Sequence, residues 1–79
     1  MTLTILYFAQ LAEERGAAQE RLTGDYANLA ALYNALHAQH HFSLAQNQLR
    51  VARNQMFAEW TDTPQDGDEI AFIPPVSGG

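Results

Sequence analysis

Asn28-Leu29-Ala30-Ala31-Leu32-Tyr33-Asn34-Ala35-Leu36 puts a large apolar residue at positions 29, 32, 33 and 36. That is the i, i+3, i+4, i+7 spacing of a helix with one apolar face. Asn28 is a favoured N-cap because its side-chain oxygen accepts an orphan backbone N–H, so the spacing predicts a helix over residues 29–40. On its N-terminal side, residues 2–8 alternate Leu3, Ile5 and Tyr7 with Thr2, Thr4, Leu6 and Phe8, the period of two of a strand. Ala9 to Arg15 favours a short helix that Gly16 stops, and residues 18–23 can return as a second strand to complete a long hairpin. On its C-terminal side, Leu49 and Val51 alternate with Arg50 and Ala52, Asn54-Gln55 marks a turn, and Met56 to Trp60 reads as a short strand. Pro64-Gln65-Asp66-Gly67 signals a further turn and Glu69-Ile70-Ala71-Phe72-Ile73 a last strand. One apolar helix stripe and one set of strands bury each other most simply as an α+β fold, the helix lying across a mixed sheet of four or five strands.

The chain has 79 residues, room for one core, with 47% hydrophobic and only 16% charged residues. Four arginines, no lysine and nine acids give a net charge of −5, which excludes the basic footprint needed for nucleic acid or an anionic membrane surface. The absence of cysteine excludes disulfides, thiolate metal sites, iron–sulfur clusters and a thiol nucleophile. Met1 to Phe8 lacks the features of a secretory signal, and no apolar run approaches the roughly 20 residues that cross a bilayer. A cytoplasmic location is expected.

The end of the chain departs from ordinary domain composition. Pro74-Pro75 supply no backbone N–H, so the ladder of the last strand must lapse there, dividing a domain over residues 1–73 from a tail over 74–79. Six residues, Pro74-Pro75-Val76-Ser77-Gly78-Gly79, can span roughly 20 Å when extended, enough to enter a deep site on another protein. Glycine lacks a Cβ, so Gly78 and Gly79 can pass a channel too narrow for any side chain and leave a terminal carboxyl open to attack. At neutral pH that carboxyl is an anion and a poor electrophile, and it needs activation by another enzyme before it can carry anything.

The run Asp66-Gly67-Asp68-Glu69-Ile70-Ala71-Phe72-Ile73-Pro74-Pro75-Val76-Ser77-Gly78-Gly79 resembles the C-terminal signature of the molybdopterin synthase small-subunit (MoaD) branch of the ubiquitin-like sulfur carriers. Leu6-Tyr7-Phe8-Ala9-Gln10 and the order of elements resemble that family too, from end to end. Pro64 stands where relatives more often carry leucine. The resemblance implies a ubiquitin-like β-grasp fold and a subunit without catalytic side chains of its own. It implies that an ATP-dependent, E1-like activating enzyme adenylates the Gly79 carboxylate and that a sulfur donor system converts it to a thiocarboxylate. The tail would then enter the large catalytic subunit, within a heterotetramer, and pass sulfur to cyclic pyranopterin monophosphate to form the molybdopterin dithiolene. Gly79 is then the reacting residue, and Phe72, Ile73, Pro74, Pro75, Val76, Ser77 and Gly78 join it in contacting the partner. No cofactor is expected on this chain itself, since ATP belongs to the activating enzyme. A sulfur carrier of another pathway, such as that of thiamine, and a non-covalent β-grasp binding module are the alternatives.

Other clusters read more plainly. His37, His40 and His41 have a spacing that could bind zinc, but no carboxylate or thiol stands close in sequence, and cations suit a helix C-terminus in any case. Five acids, Glu59, Asp62, Asp66, Asp68 and Glu69, fall within eleven residues, either a docking face for a basic partner or a solvated loop. Ser43 and Ser77 carry no nucleophile signature. Phe8, Phe57, Trp60 and Phe72 read as core or rim packing, with Phe72 and Ile73 able to extend an apolar contact beside the tail.

Overall fold

The computed structural model describes residues 1–75. Five strands, β1 (Thr2–Tyr7), β2 (Gln19–Thr23), β3 (Arg50–Arg53), β4 (Met56–Phe57) and β5 (Glu69–Ile73), form one mixed sheet in the order β2-β1-β5-β3-β4. Two α-helices, α1 (Gln10–Arg15) and α2 (Leu29–His40), and a single 3₁₀ turn at Gln46–Gln48 complete it. β1 pairs antiparallel with β2 and parallel with β5, setting Ile5 opposite Ile70 and Tyr7 opposite Phe72. β5 in turn pairs antiparallel with β3, setting Val51 opposite Phe72.

The predicted helix stripe is the one that is buried. Leu29, Leu32, Tyr33 and Leu36 of α2 pack on Leu3, Ile5 and Tyr7 of β1 and on Ile70 and Phe72 of β5 in a single core. Tyr33 is fully buried at its centre, parallel to Phe42 at 6.0 Å and edge-on to Phe72 at 5.0 Å, and burial pushes its hydroxyl pKa up to about 12. That hydroxyl donates to the Leu44 carbonyl at 2.7 Å, so no buried donor is left unpaired there. Asn28 caps α2 as predicted, its Oδ1 accepting from the Ala31 N–H at 2.8 Å. Two further N–H groups of the first turn, those of Leu29 and Ala30, donate to the carbonyls of Asp62 and Trp60.

Those two bonds explain a correction. The strand expected over Met56 to Trp60 stops at Phe57, because the chain must swing from the sheet edge to the start of α2, where Trp60 also stacks on Phe72 at 6.1 Å. The first strand likewise ends at Tyr7 instead of Phe8. Ala9, at φ 51 and ψ −122, turns the chain sharply, and the Phe8 carbonyl then accepts from the Leu11 N–H. Phe8 and Phe57, read as packing residues, are 46% and 62% exposed. Pro64, the departure from the family pattern, is fully buried and fills the space beneath its turn.

Asp68 is the one buried charged side chain among the described residues. It accepts from the Gln65 N–H at 2.8 Å and from Asn54 Nδ2 at 3.0 Å, with Arg53 Nε 3.7 Å away. The turn it closes needs Gly67, at φ 86, whose N–H donates to the Thr2 carbonyl. Asn54 and Gln55 form a two-residue hairpin loop with both φ values positive, 53 and 71. Such loops favour Asn-Gly, and a glutamine in the second position costs about 1 kcal/mol.

Two carboxylates tie α1 to the rest. Glu20 accepts a two-pronged contact from Arg15, at 2.9 and 3.1 Å, together with the Tyr7 hydroxyl. Glu14 accepts from the backbone and hydroxyl of Ser43. The Arg15 guanidinium foremost holds Glu20 below the usual carboxylate range, and the Ser43 donors do the same for Glu14.

Replacing Asp68 by alanine leaves Gln65 N–H and Asn54 Nδ2 without their acceptor and is expected to lower stability by about 2 kcal/mol, measured by urea unfolding. Because both folded carboxyl pKa values are depressed, their contribution is complete above the unfolded value of about 4.3 and disappears as the pH falls below it. The melting temperature should therefore start to drop as the pH falls below about 4.3 and go on dropping through the depressed folded values, and Glu20→Gln should flatten that drop while lowering the plateau, as calorimetry would register.

Candidate functional site

One side of the sheet is covered by α2 and the other is open. Strand parity decides which residues face the open side: Leu6 lies beside Ala71, Ala71 is opposite Ala52, and Ala52 is opposite Phe57. The two alanines at the centre leave a groove, walled by Leu6 and Phe8 on one flank and Phe57 on the other. Ile73 lines the same groove and is the last residue of β5. The apolar floor thus runs directly into Pro74, where the ladder ends.

Local chemistry sets the walls in place. The turn at Ala9 carries an L-residue in a region that usually belongs to glycine, and it projects Phe8 outward at the end of β1. The Arg50 guanidinium sits 3.8 Å above the Phe57 ring and holds it by a cation–π contact. Arg50 is itself opposite Ile73, so a cation, an exposed aromatic ring and the exit of the tail lie side by side.

The residues expected to contact a partner divide accordingly. Phe72 does not belong on a contact surface: it faces the opposite way from Ile73, into the core, and its side chain has no exposed area. Ile73 and Pro74 are half-buried on the surface and Pro75 is exposed. Val76, Ser77, Gly78 and Gly79 lie outside the described residues. Reasoning from sequence missed Leu6, Ala52, Phe57 and Ala71 as one surface. Every residue from Ile70 to Ile73 is apolar, so alternation could not say which face of β5 was covered.

The other clusters resolve into structure. Three of the five acids between 59 and 69 are engaged with backbone N–H groups. Asp66 accepts from the Thr2 N–H, Asp62 from the Glu59 N–H, and Asp68 closes its turn as described. The histidines do not converge: His37 packs against Tyr33, His40 against Phe42 with Nε2 3.8 Å from Glu20, and His41 is an exposed left-handed cap. No group of three or more metal-ligating side chains occurs among the described residues. No helix among them is long and apolar enough to cross a membrane.

Comparison with known proteins places this arrangement. The ThiS family profile matches residues 5–79. The molybdopterin synthase sulfur carrier subunit of Escherichia coli is 34% identical over 98% of this chain and 99% of its own length. The human molybdopterin synthase sulfur carrier subunit is 36% identical over 95% and 91%. Among solved structures, the small archaeal modifier protein SAMP1 of Haloferax volcanii superposes with a TM-score of 0.82 at 29% identity, each chain covered completely. The chain from the Helicobacter pylori complex of subunits 1 and 2 of molybdopterin-converting factor gives 0.71 at 20% identity, again with both chains covered completely. The helix-on-sheet architecture with its central β5 is the ubiquitin-like β-grasp, and this chain belongs to the ThiS family of ubiquitin-like sulfur carriers.

Proposed function

We infer that the chain is the sulfur-carrying small subunit of a molybdopterin synthase, with Gly79 as the carrier terminus and the open sheet face as its docking surface. The observation that carries this reading is the run Pro74-Pro75-Val76-Ser77-Gly78-Gly79, which follows in sequence directly on the central strand, whose last residue, Ile73, lines an apolar groove. In the first step the Gly79 carboxylate attacks the α-phosphorus of ATP on an activating enzyme, forming an acyl-adenylate and releasing pyrophosphate. A sulfur nucleophile from the donor system then displaces AMP and leaves a thiocarboxylate. The tail next enters the large subunit, where the sulfur bonds to a carbon of cyclic pyranopterin monophosphate and water cleaves the acyl–sulfur bond, restoring the Gly79 carboxylate. With no cysteine in the chain, sulfur has no side-chain carrier, and a terminal acyl group supplies the covalent link. ATP is held by the activating enzyme and the catalytic side chains by the large subunit, so this chain contributes the reacting terminus and the docking energy. The Pro-Pro segment and the identity with curated molybdopterin synthase subunits favour this pathway over a thiamine-type carrier.

Intact-mass spectrometry of the protein from its own host should reveal a species in which sulfur replaces one oxygen. Deleting Gly78 and Gly79 should abolish molybdopterin formation with an unchanged melting temperature; product from the truncated chain would rule out the carrier reading. If a narrow channel admits the tail, Gly78→Ala should retain partial activity and Gly78→Val should fall by about 100-fold in adenylation and in sulfur transfer. A Val variant within a few-fold of the parent would contradict the channel argument. Phe8→Ser and Phe57→Ser, both at exposed positions, should each weaken binding to the large subunit by about tenfold or more with little loss of stability.

A further inference from the structure

The open groove has a polar end. At the start of β5, away from the tail, it is closed by Gln55 and Glu69. The two are held next to each other by a reciprocal pair of bonds: the Asn54 N–H donates to the Glu69 carbonyl at 2.8 Å, and the Glu69 N–H to Asn54 Oδ1 at 2.9 Å. Among the described residues neither the Gln55 amide nor the Glu69 carboxylate has a hydrogen-bond partner, whereas Asp62, Asp66 and Asp68 are all engaged with backbone. Gln55 keeps its side chain here at the expense of a left-handed backbone, φ 71, that glycine would adopt without strain. The bonds of Asn54 hold this turn but none of them involves the Gln55 side chain, and such outliers collect at ligand clamps.

We propose that Gln55 and Glu69 form a receptor for a cationic side chain, an arginine or lysine, of the large subunit. This inference rests on the docking face described above and names the chemistry read at one end of it. The groove is the right shape for such a residue: an aliphatic stem lies over Ala52 and Ala71, and the charged head reaches the Glu69 carboxylate and the Gln55 carbonyl oxygen. The chain's net charge of −5 favours a partner with a basic rim. Arg21 projects from β2 on the same face, opposite Thr4, which itself lies beside Glu69. It would repel a misplaced cation and so helps to fix the register of docking.

The test is calorimetric titration of the full chain with the large subunit from the same organism, at about 50 and 300 mM NaCl. Glu69→Gln is expected to weaken binding by about tenfold at low salt and to flatten the salt dependence. Gln55→Gly is expected to raise the melting temperature by about 4 °C or more while weakening binding severalfold. Phe57→Ser serves as the control for the face itself. If Phe57→Ser binds poorly while Glu69→Gln keeps both the affinity and the salt slope of the parent, the receptor is overturned and the docking face stands. If Phe57→Ser binds like the parent, the docking face fails and the receptor fails with it. A Gln55→Gly chain that gains stability with undiminished affinity removes Gln55 from the receptor.

Discussion

β5, the last strand in sequence, is held from both sides: parallel by β1 and antiparallel by β3. Pro74 and Pro75 follow directly on that strand, and its Ile70 and Phe72 belong to the core that α2 covers. Phe72 meets α2 through Tyr33 and the helix-capping loop through Trp60, so a single residue of β5 touches the centre of the core and its margin. The tail therefore follows on a strand that is paired along both edges. A carrier whose end must enter another protein gains from this, because the strand at the root of the tail is already fixed before binding.

The two faces of the sheet have opposite duties, and the single step between neighbouring residues separates them. Phe72 supplies packing and Ile73 supplies surface. Where a buried face needs large side chains, the open face is built on Ala52 and Ala71, and this difference in volume makes the groove. The strained turns at Ala9 and at Asn54-Gln55 flank it. The polar bonds of Asp68 and Asn54 keep the second of these turns against the start of β5.

Much of this was legible in the amino-acid order. The stripe at 29, 32, 33 and 36, the Asn28 cap and the glycines at 16 and 67 each report a local physical requirement and appear where they were expected, while the alternation of residues 2–8 overruns its strand by one residue. Element ends were less legible when a distant demand intervened. Nothing near Ala58 announces that Trp60 and Asp62 are needed at the start of α2, some thirty residues earlier. The docking face was hidden for a related reason. It draws one to three residues from each of four strands, and short apolar strands do not disclose which side their neighbours will cover. The tail chemistry, by contrast, lies in six consecutive residues and could be read directly.

The central place of β5 also has a consequence in time. Until residue 73 has left the ribosome, β1 and β3 have no common neighbour, and the sheet remains a hairpin and a fragment. Pairing between the first and last strands is the longest-range contact the fold possesses, and such contacts close late and slowly. Nascent chains will thus display Leu6, Phe8 and Phe57 before there is a sheet to present them, and closure must wait until β5 is available to both neighbours. An activating enzyme recognising the closed sheet face would therefore meet no chains that still lack β5.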